Sequence, residues 1–337
     1  MSNTAVDRVL ALSMRPKFVE DFVGQDEVVA TLKKQFDTER IPHFYIIHGP
    51  VGSGKTSLAR ILSLALQRGN KLELTAEDWQ GYKRYDINEI NAANKNGIDD
   101  IRTIVDTMKY QPMMPSKAKV VIMDEAHQLT TAAQNALITE TEDVAKHVFY
   151  IFCTSNVGKI IPALQRRAYM VMPKPLGEEE AMQLLTKAAG FVGFEEDLSA
   201  LGESIQMASI TSPGLILQAA EKFFSGIPPN ESVYNCDGSK VDTMKVCRSV
   251  AAGSWKDTAE NVKGITKTDV IMVRNCLMGY LKTMLLKSTG NKALVVAKAI
   301  RNISDGASST DDMQCLPSFL ASVCIACEHI ASGIKSR

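Results

Sequence analysis

The chain has no surplus of either charge, since its 38 lysines and arginines are matched by 38 aspartates and glutamates. No global positive field therefore draws it to nucleic acid, and any contact with a polyanion must come from local clusters or from several copies arranged together. No apolar run approaches the ~20 residues of a membrane span. The opening stretch MSNTAVDRVLALSMRP also lacks the long apolar run of a secretory leader. These absences predict a soluble, cytoplasmic protein with no membrane partner. Cysteine is sparse and odd in number, with seven residues scattered from Cys153 to Cys327, which argues against a disulfide framework. The one Cys-x-x-Cys, Cys324 to Cys327, lacks a second ligand pair. It lies in the apolar stretch SFLASVCIACEHIA, so it reads as two buried helix thiols and not as a zinc site. No internal repeat and no low-complexity tract is found.

What is present is an alternation. Up to about residue 172, short β-rich runs alternate with helical patterns, which predicts a parallel sheet covered by helices. The runs are FYIIH (44–48), RYDINEI (84–90), KVVIMDE (119–125), HVFYIFCT (147–154) and YMVM (169–172). From 177 to about 225 the pattern turns helical, with EEEAMQLLTKAAGFV and GLILQAAEKFF between polar loops. The segment 225–240, rich in Pro, Gly, Ser and Asn, reads as a linker. Apolar helices then continue to the end. At 337 residues the chain has room for two or three domains.

Gly49-Pro50-Val51-Gly52-Ser53-Gly54-Lys55-Thr56 matches G-x-x-x-x-G-K-[ST], with the run FYIIH before it and the helical SLARILSLALQ, beginning at Ser57, after it. In that setting glycines let backbone N–H groups turn inward around phosphate oxygens, and the helix N-terminus adds its positive end. Lys55 is then expected to meet the β- and γ-phosphates of ATP, and the Thr56 hydroxyl to ligate Mg²⁺. The run VVIM ends in Asp124 and Glu125, two acids at the sheet edge where ligands bind. Asp124 suits the Mg²⁺ shell, and Glu125 suits activation of an attacking water. Asp124 to His127 also spells DEAH. A helicase of that type needs a second domain of the same α/β kind, and the helical text after 175 argues against it. His127 reads as a helix-start residue.

RPKFVEDFVGQDEVVATLKKQF, HFYIIHGPVGSGKTSLARILSLAL, EINAANKNGIDDIRTIVDTMKYQP and KVVIMDEAHQLTTAAQNALITETED together resemble the ATPase subunits of DNA-replication clamp loaders. The relatives are the bacterial gamma/tau subunit, the replication factor C small subunits and the large subunit of T-even-type phage loaders. The likeness is strong over about residues 8–172, weaker to about 225, and limited to size and helical character beyond. It implies an α/β P-loop AAA+ ATPase domain (1–172), a small helical lid (173–228) and an all-α collar for oligomerisation (229–337). It implies an ATPase that uses Mg²⁺, opens a sliding clamp and loads it on primer-template DNA. The partners would be the clamp, the DNA and other loader subunits in a ring or spiral of five.

Residue by residue, the resemblance places Arg15, Pro16, Val23 and Gln25 by the adenine and ribose. It adds Ser57 to the ATP-binding residues and puts Ser155 and Asn156 at the first sensor position. Arg167, with Arg166 as the alternate, takes the place of the arginine that reaches into a neighbour's ATP site, although the family's Ser-Arg-Cys is Arg166-Arg167-Ala168 here. Lys95 and Arg102 fall where the family tracks template phosphates. Two further departures stand out. Gly214 occupies the position of the second-sensor arginine, and no cysteines follow the P-loop helix where gamma/tau subunits insert a zinc module. The latter fits the compact form of phage loaders and replication factor C; a viral chain would act in the host cytoplasm. Two alternatives stay open: a catalytically silent scaffold subunit of the same complex, or another AAA+ DNA motor.

Overall fold

The computed structural model describes residues 9–69, 71–80, 86–113, 115–208, 210–233, 243–263, 269–305 and 312–335. They form two compact units, one of residues 11–180 with 212–214, the other of the remainder.

The first unit is an α/β layer structure. Its elements begin with α1 (Leu10–Ser13), α2 (Asp26–Asp37), β1 (Phe44–His48), α3 (Lys55–Gln67), α4 (Ala76–Gln80) and β2 (Ile87–Asn91). They continue with α5 (Ile98–Met108), β3 (Lys119–Asp124), α6 (Thr131–Glu142), β4 (Val148–Thr154), α7 (Pro162–Arg167) and β5 (Tyr169–Val171). The strands run in the order β2-β3-β4-β1-β5, and every pairing is parallel. The central strands are apolar on both faces because helices cover both, so β4 is buried along its whole length. Alternate side chains go to opposite layers. Tyr45 and Ile47 join Leu58, Ile61 and Leu62 of α3, while Phe44 and Ile46 join Ile101 and Val105 of α5 and Leu137 of α6. Each such apolar side chain contributes about 1.5–3 kcal/mol on full burial.

The β-rich runs read from the sequence agree with this sheet. FYIIH is β1 itself, and the other four lie within two or three residues of β2 to β5. Residues 84 and 85 of the second run lie outside the described residues. The α/β expectation is thus met, with the C-terminal ends of β1, β3 and β4 side by side.

The second unit is helical. It is built from most of α8 (Glu178–Val192), α9 (Ser199–Met207), α10 (Pro213–Phe224) and α11 (Pro229–Val233), followed by α12 (Thr243–Ala251), α13 (Trp255–Asn261), α14 (Asp269–Leu286), α15 (Asn291–Asp305) and α16 (Asp312–Lys335). Part of the expected linker is therefore helix. Pro229 starts α11, where a proline costs no hydrogen bond, and Ser232 Oγ donates back to Ile227 O at 2.9 Å. Residues 234–240 of that segment, with Cys236, lie outside the described residues. Gly253 ends α12 at φ +70°, and a Cβ there would meet Ala331 N of α16 at 2.7 Å, so only glycine fits both demands. Beneath it Thr258 Oγ1 donates to Ser249 Oγ at 2.9 Å and lies 3.6 Å from Cys327 Sγ. Cys327 is a fully buried packing thiol, with Cys324 half-buried on the same helix. Among the described residues no cluster of side chains is placed to hold a metal ion, and no helix is long and apolar enough to cross a membrane.

Candidate functional site

The site grows from the end of β1. Gly49 leaves the sheet with its N–H on Thr154 O at 3.2 Å, which ties the loop 49–54 to β4. Gly52 (φ +78°) and Gly54 (φ +90°) hold the left-handed backbone that turns the loop around. A Cβ at Gly54 would stand 3.1 Å from the Phe22 ring, so the loop's outer side is walled. Ser53 Oγ is buried and finds no hydrogen-bond partner among the described residues. Lys55 opens α3 and folds back, donating to Gly49 O at 3.0 Å and Pro50 O at 2.7 Å. Burial pushes its ammonium pKa down, against the pull of the nearby Glu125 and Asp124. A buried cation donating to carbonyls, an orphan hydroxyl and a left-handed glycine loop at a helix N-terminus together fit a phosphate chain.

The next strand ends add acids. Thr56 Oγ1 donates to Asp124 Oδ2 at 3.0 Å, joining α3 to the end of β3. A hydroxyl and a carboxylate in contact at the mouth of the loop are the hard oxygen donors that Mg²⁺ prefers. Glu125 follows at φ +52°, in the left-handed region that a non-glycine residue adopts at a cost. Its N–H donates to Asp124 Oδ1 at 3.0 Å, and its carboxylate lies 3.3 Å from His127 Nδ1. Ser155 and Asn156 are exposed just beyond β4, with Asn156 N–H on Thr154 Oγ1 at 3.1 Å. Lys55, Thr56, Asp124, Glu125, Ser155 and Asn156 thus emerge from three adjacent strand ends.

The other residues singled out lie elsewhere. Arg15 is exposed and Pro16 half-buried after α1. Gln25 is buried and gripped at both ends of its amide, donating to Lys174 O at 2.8 Å and accepting from Lys174 N at 2.7 Å. That fixes Gln25 against residue 174 and gives it a structural task. Arg167 is on α7, donating to Ala163 O at 2.9 Å and pairing with Glu142, while Arg166 beside it is exposed. Lys95 is exposed in the turn after β2, and Arg102 on α5 pairs loosely with Asp99 at 3.5 Å.

Sequence reasoning missed a contact on the loop's outer side. Ser212 Oγ donates to Val51 O at 2.9 Å, and Gly214 N to Gly52 O at 3.1 Å. Gly214, which looks like a lost arginine in the sequence, is where two backbones meet. A Cβ on it would lie 3.2 Å from Gly52 Cα and 3.4 Å from Gly52 O. Restoring the family residue with Gly214→Arg is therefore expected to harm the site. ATP affinity, measured by titration with a fluorescent analogue, should fall about tenfold, from overpacking of order 1–3 kcal/mol. Tighter binding would contradict this.

Comparison with known proteins gives a consistent set of likenesses. A family profile described as DNA polymerase III, delta subunit matches residues 24–176. The replication factor C small subunit of Thermoplasma acidophilum is 30% identical over 295 residues, covering 85% of this chain and 87% of the relative. That of Thermoplasma volcanium is 33% identical over 270 residues, covering 79% and 78%. The gamma/tau subunit of DNA polymerase III from Mycobacterium tuberculosis is 36% identical over 166 residues, 46% of this chain but only 28% of the relative. Among solved structures, a variant of Thermotoga maritima RuvB shares the fold at a TM-score of 0.51 and 17% identity, covering 80% of this chain and 91% of its own.

Proposed function

The chain belongs to the clamp-loader family of AAA+ ATPase subunits, and from that premise we propose that it is the ATP-hydrolysing motor of a sliding-clamp loader. Membership implies nucleotide binding and hydrolysis; the stimulation of hydrolysis by clamp and DNA is part of the proposal. The carrying observation is the Thr56 to Asp124 contact of 3.0 Å at the P-loop mouth, with Glu125 next in the chain. It supports phosphate-, metal- and water-handling groups at one sheet edge.

In this reading the backbone N–H groups of residues 50–54 and the Lys55 ammonium hold the phosphates. Thr56 and Asp124 would hold Mg²⁺, which neutralises charge on the phosphates when bound. Glu125 accepts the proton of the attacking water. Ser155 and Asn156 read the terminal phosphate, and their state is passed on through β4, which adjoins both β1 and β3. We further propose that residues 1–172 work as the ATPase, 173–228 as lid and 229–337 as collar, in a five-subunit spiral. ATP then favours the arrangement that opens the clamp and grips primer-template DNA by its phosphates, Lys95 and Arg102 among the contacts. Losing the terminal phosphate removes that bias. The balanced charge of the chain supports DNA binding by the assembly rather than by one subunit.

Arg167 provides the test of assembly. Its partner in the structure is Glu142 of the same chain, so action on a neighbour's ATP requires exchanging that carboxylate for phosphate. Arg167→Ala should leave ATP affinity unchanged and lower the ATPase rate of the assembled ring about tenfold or more, since a finger arginine acts on transition-state charge. Mixing it with Lys55→Ala subunits should restore part of the rate, because intact ATP sites then meet intact arginines. A defect confined to Arg166→Ala would move the role by one residue, and normal rates in both variants would remove it from this helix.

A further inference from the structure

The mechanism above leaves His127 unused. It lies on the single turn Ala126–Gln128 that follows Glu125, and its side chain is only 11% exposed. Its Nδ1 is 3.3 Å from Glu125 Oε2 and 3.2 Å from Thr154 Oγ1. The other ring nitrogen, Nε2, lies 3.2 Å from Gln128 Nε2. An amide nitrogen only donates, so His127 Nε2 offers its lone pair and the ring proton sits on Nδ1. That nitrogen's hydrogen-bond partner is Thr154 Oγ1 at 3.2 Å, and Glu125 Oε2 stands beside it at ion-pair distance, 3.3 Å. Thr154 Oγ1 also accepts the N–H of Asn156 at 3.1 Å. The imidazole is thus tied by hydrogen bonds through Thr154 to residue 156, with Glu125 Oε2 packed against its edge.

We infer that His127 is a positioning residue for Glu125, its ring edge, fixed on Thr154, standing against Oε2 so that Oε1 is left to take the proton from water. The inference rests on Glu125 as the water-activating base. Such a hold is needed here because the glutamate side chain is 41% exposed and sprouts from a left-handed backbone. Without an anchor it would spread over several rotamers, and only a fraction would be productive. A base oriented by a third group is the general arrangement of activated nucleophile sites.

The test is steady-state ATP hydrolysis by the full-length protein with its assembly partners, together with nucleotide titration. His127→Ala should lower kcat about tenfold, the size of a typical coupling between contacting side chains, and move KM and ATP affinity less than about twofold. His127→Asn should recover most of the loss, because its amide N–H stands near the place of Nδ1–H. His127→Gln, with its donor further out, should not. In a Glu125→Gln background, His127→Ala should add no further loss. An unchanged or raised kcat in folded His127→Ala overturns the inference, and so does a loss additive with Glu125→Gln. If the alanine variant does not fold, the ranking of asparagine above glutamine carries the test, and equal rates overturn it. Wild-type turnover in Glu125→Gln alone would instead refute the base assignment, an outcome read without any His127 variant.

Discussion

Replacing Lys55 with alanine should weaken ATP binding about a hundredfold or more and abolish measurable hydrolysis, because truncating one side of a buried charge pair costs about 2–5 kcal/mol. Lys55 is 8% exposed, and among the described residues its ammonium donates to Gly49 O and Pro50 O. Burial disfavours its charge in the nucleotide-free site, so the phosphate supplies the compensation that the protein withholds. The lowered pKa also sets a pH dependence. A lysine must be protonated to attract phosphate, so affinity is fully developed below the lowered pKa. It falls as pH rises through that value, on the alkaline side, sooner than for an exposed lysine. Nucleotide titration and a phosphate-release assay on the variant check both parts. Wild-type binding and turnover would show that the loop is not a phosphate site.

Glu125→Gln should separate binding from chemistry. The amide cannot take a proton from water, and general-base catalysis contributes roughly 10²–10⁴ in rate, so kcat should fall at least about a hundredfold. ATP affinity should stay near wild type, since Lys55, Thr56 and Asp124 are untouched. A variant that hydrolyses normally would remove Glu125 from the base role.

The strands and the nucleotide loop were legible in the sequence because their signals are local. FYIIH followed by a glycine loop and an apolar helix states β1, the loop and α3 in one reading. VVIMDE does the same for β3 and its acids, since a strand buried on both faces is a continuous apolar run. What stayed illegible lies far apart in the chain. Glu142 and Arg167 are 25 positions apart, and His127 and Thr154 are 27 apart. The contact of Ser212 with Val51 spans 161 positions. No periodicity encodes such meetings. Gly214 shows this most clearly, for the sequence shows only that a side chain is missing there, whereas the fold brings two backbones together at that point. His127 read as a helix start, and it does lie in a short turn, but its ring meets both Thr154 and Glu125. The linker reading failed over 229–233 because proline and serine, which punctuate loops, also start helices.

The central claim is that ATP, through this site, drives a subunit that engages a sliding clamp. Glu125→Gln gives its most direct measurement, because it should hold the protein in the ATP-bound state. The variant, assembled with its partner subunits, is incubated with a ring-shaped replication clamp and passed over a sizing column in ATP or in ADP. The complex with the clamp should be stable in ATP and dissociate in ADP, while the wild-type assembly should release the clamp on primed DNA as ATP is consumed. Equal clamp retention in ATP and ADP, or none in either, would contradict the central claim.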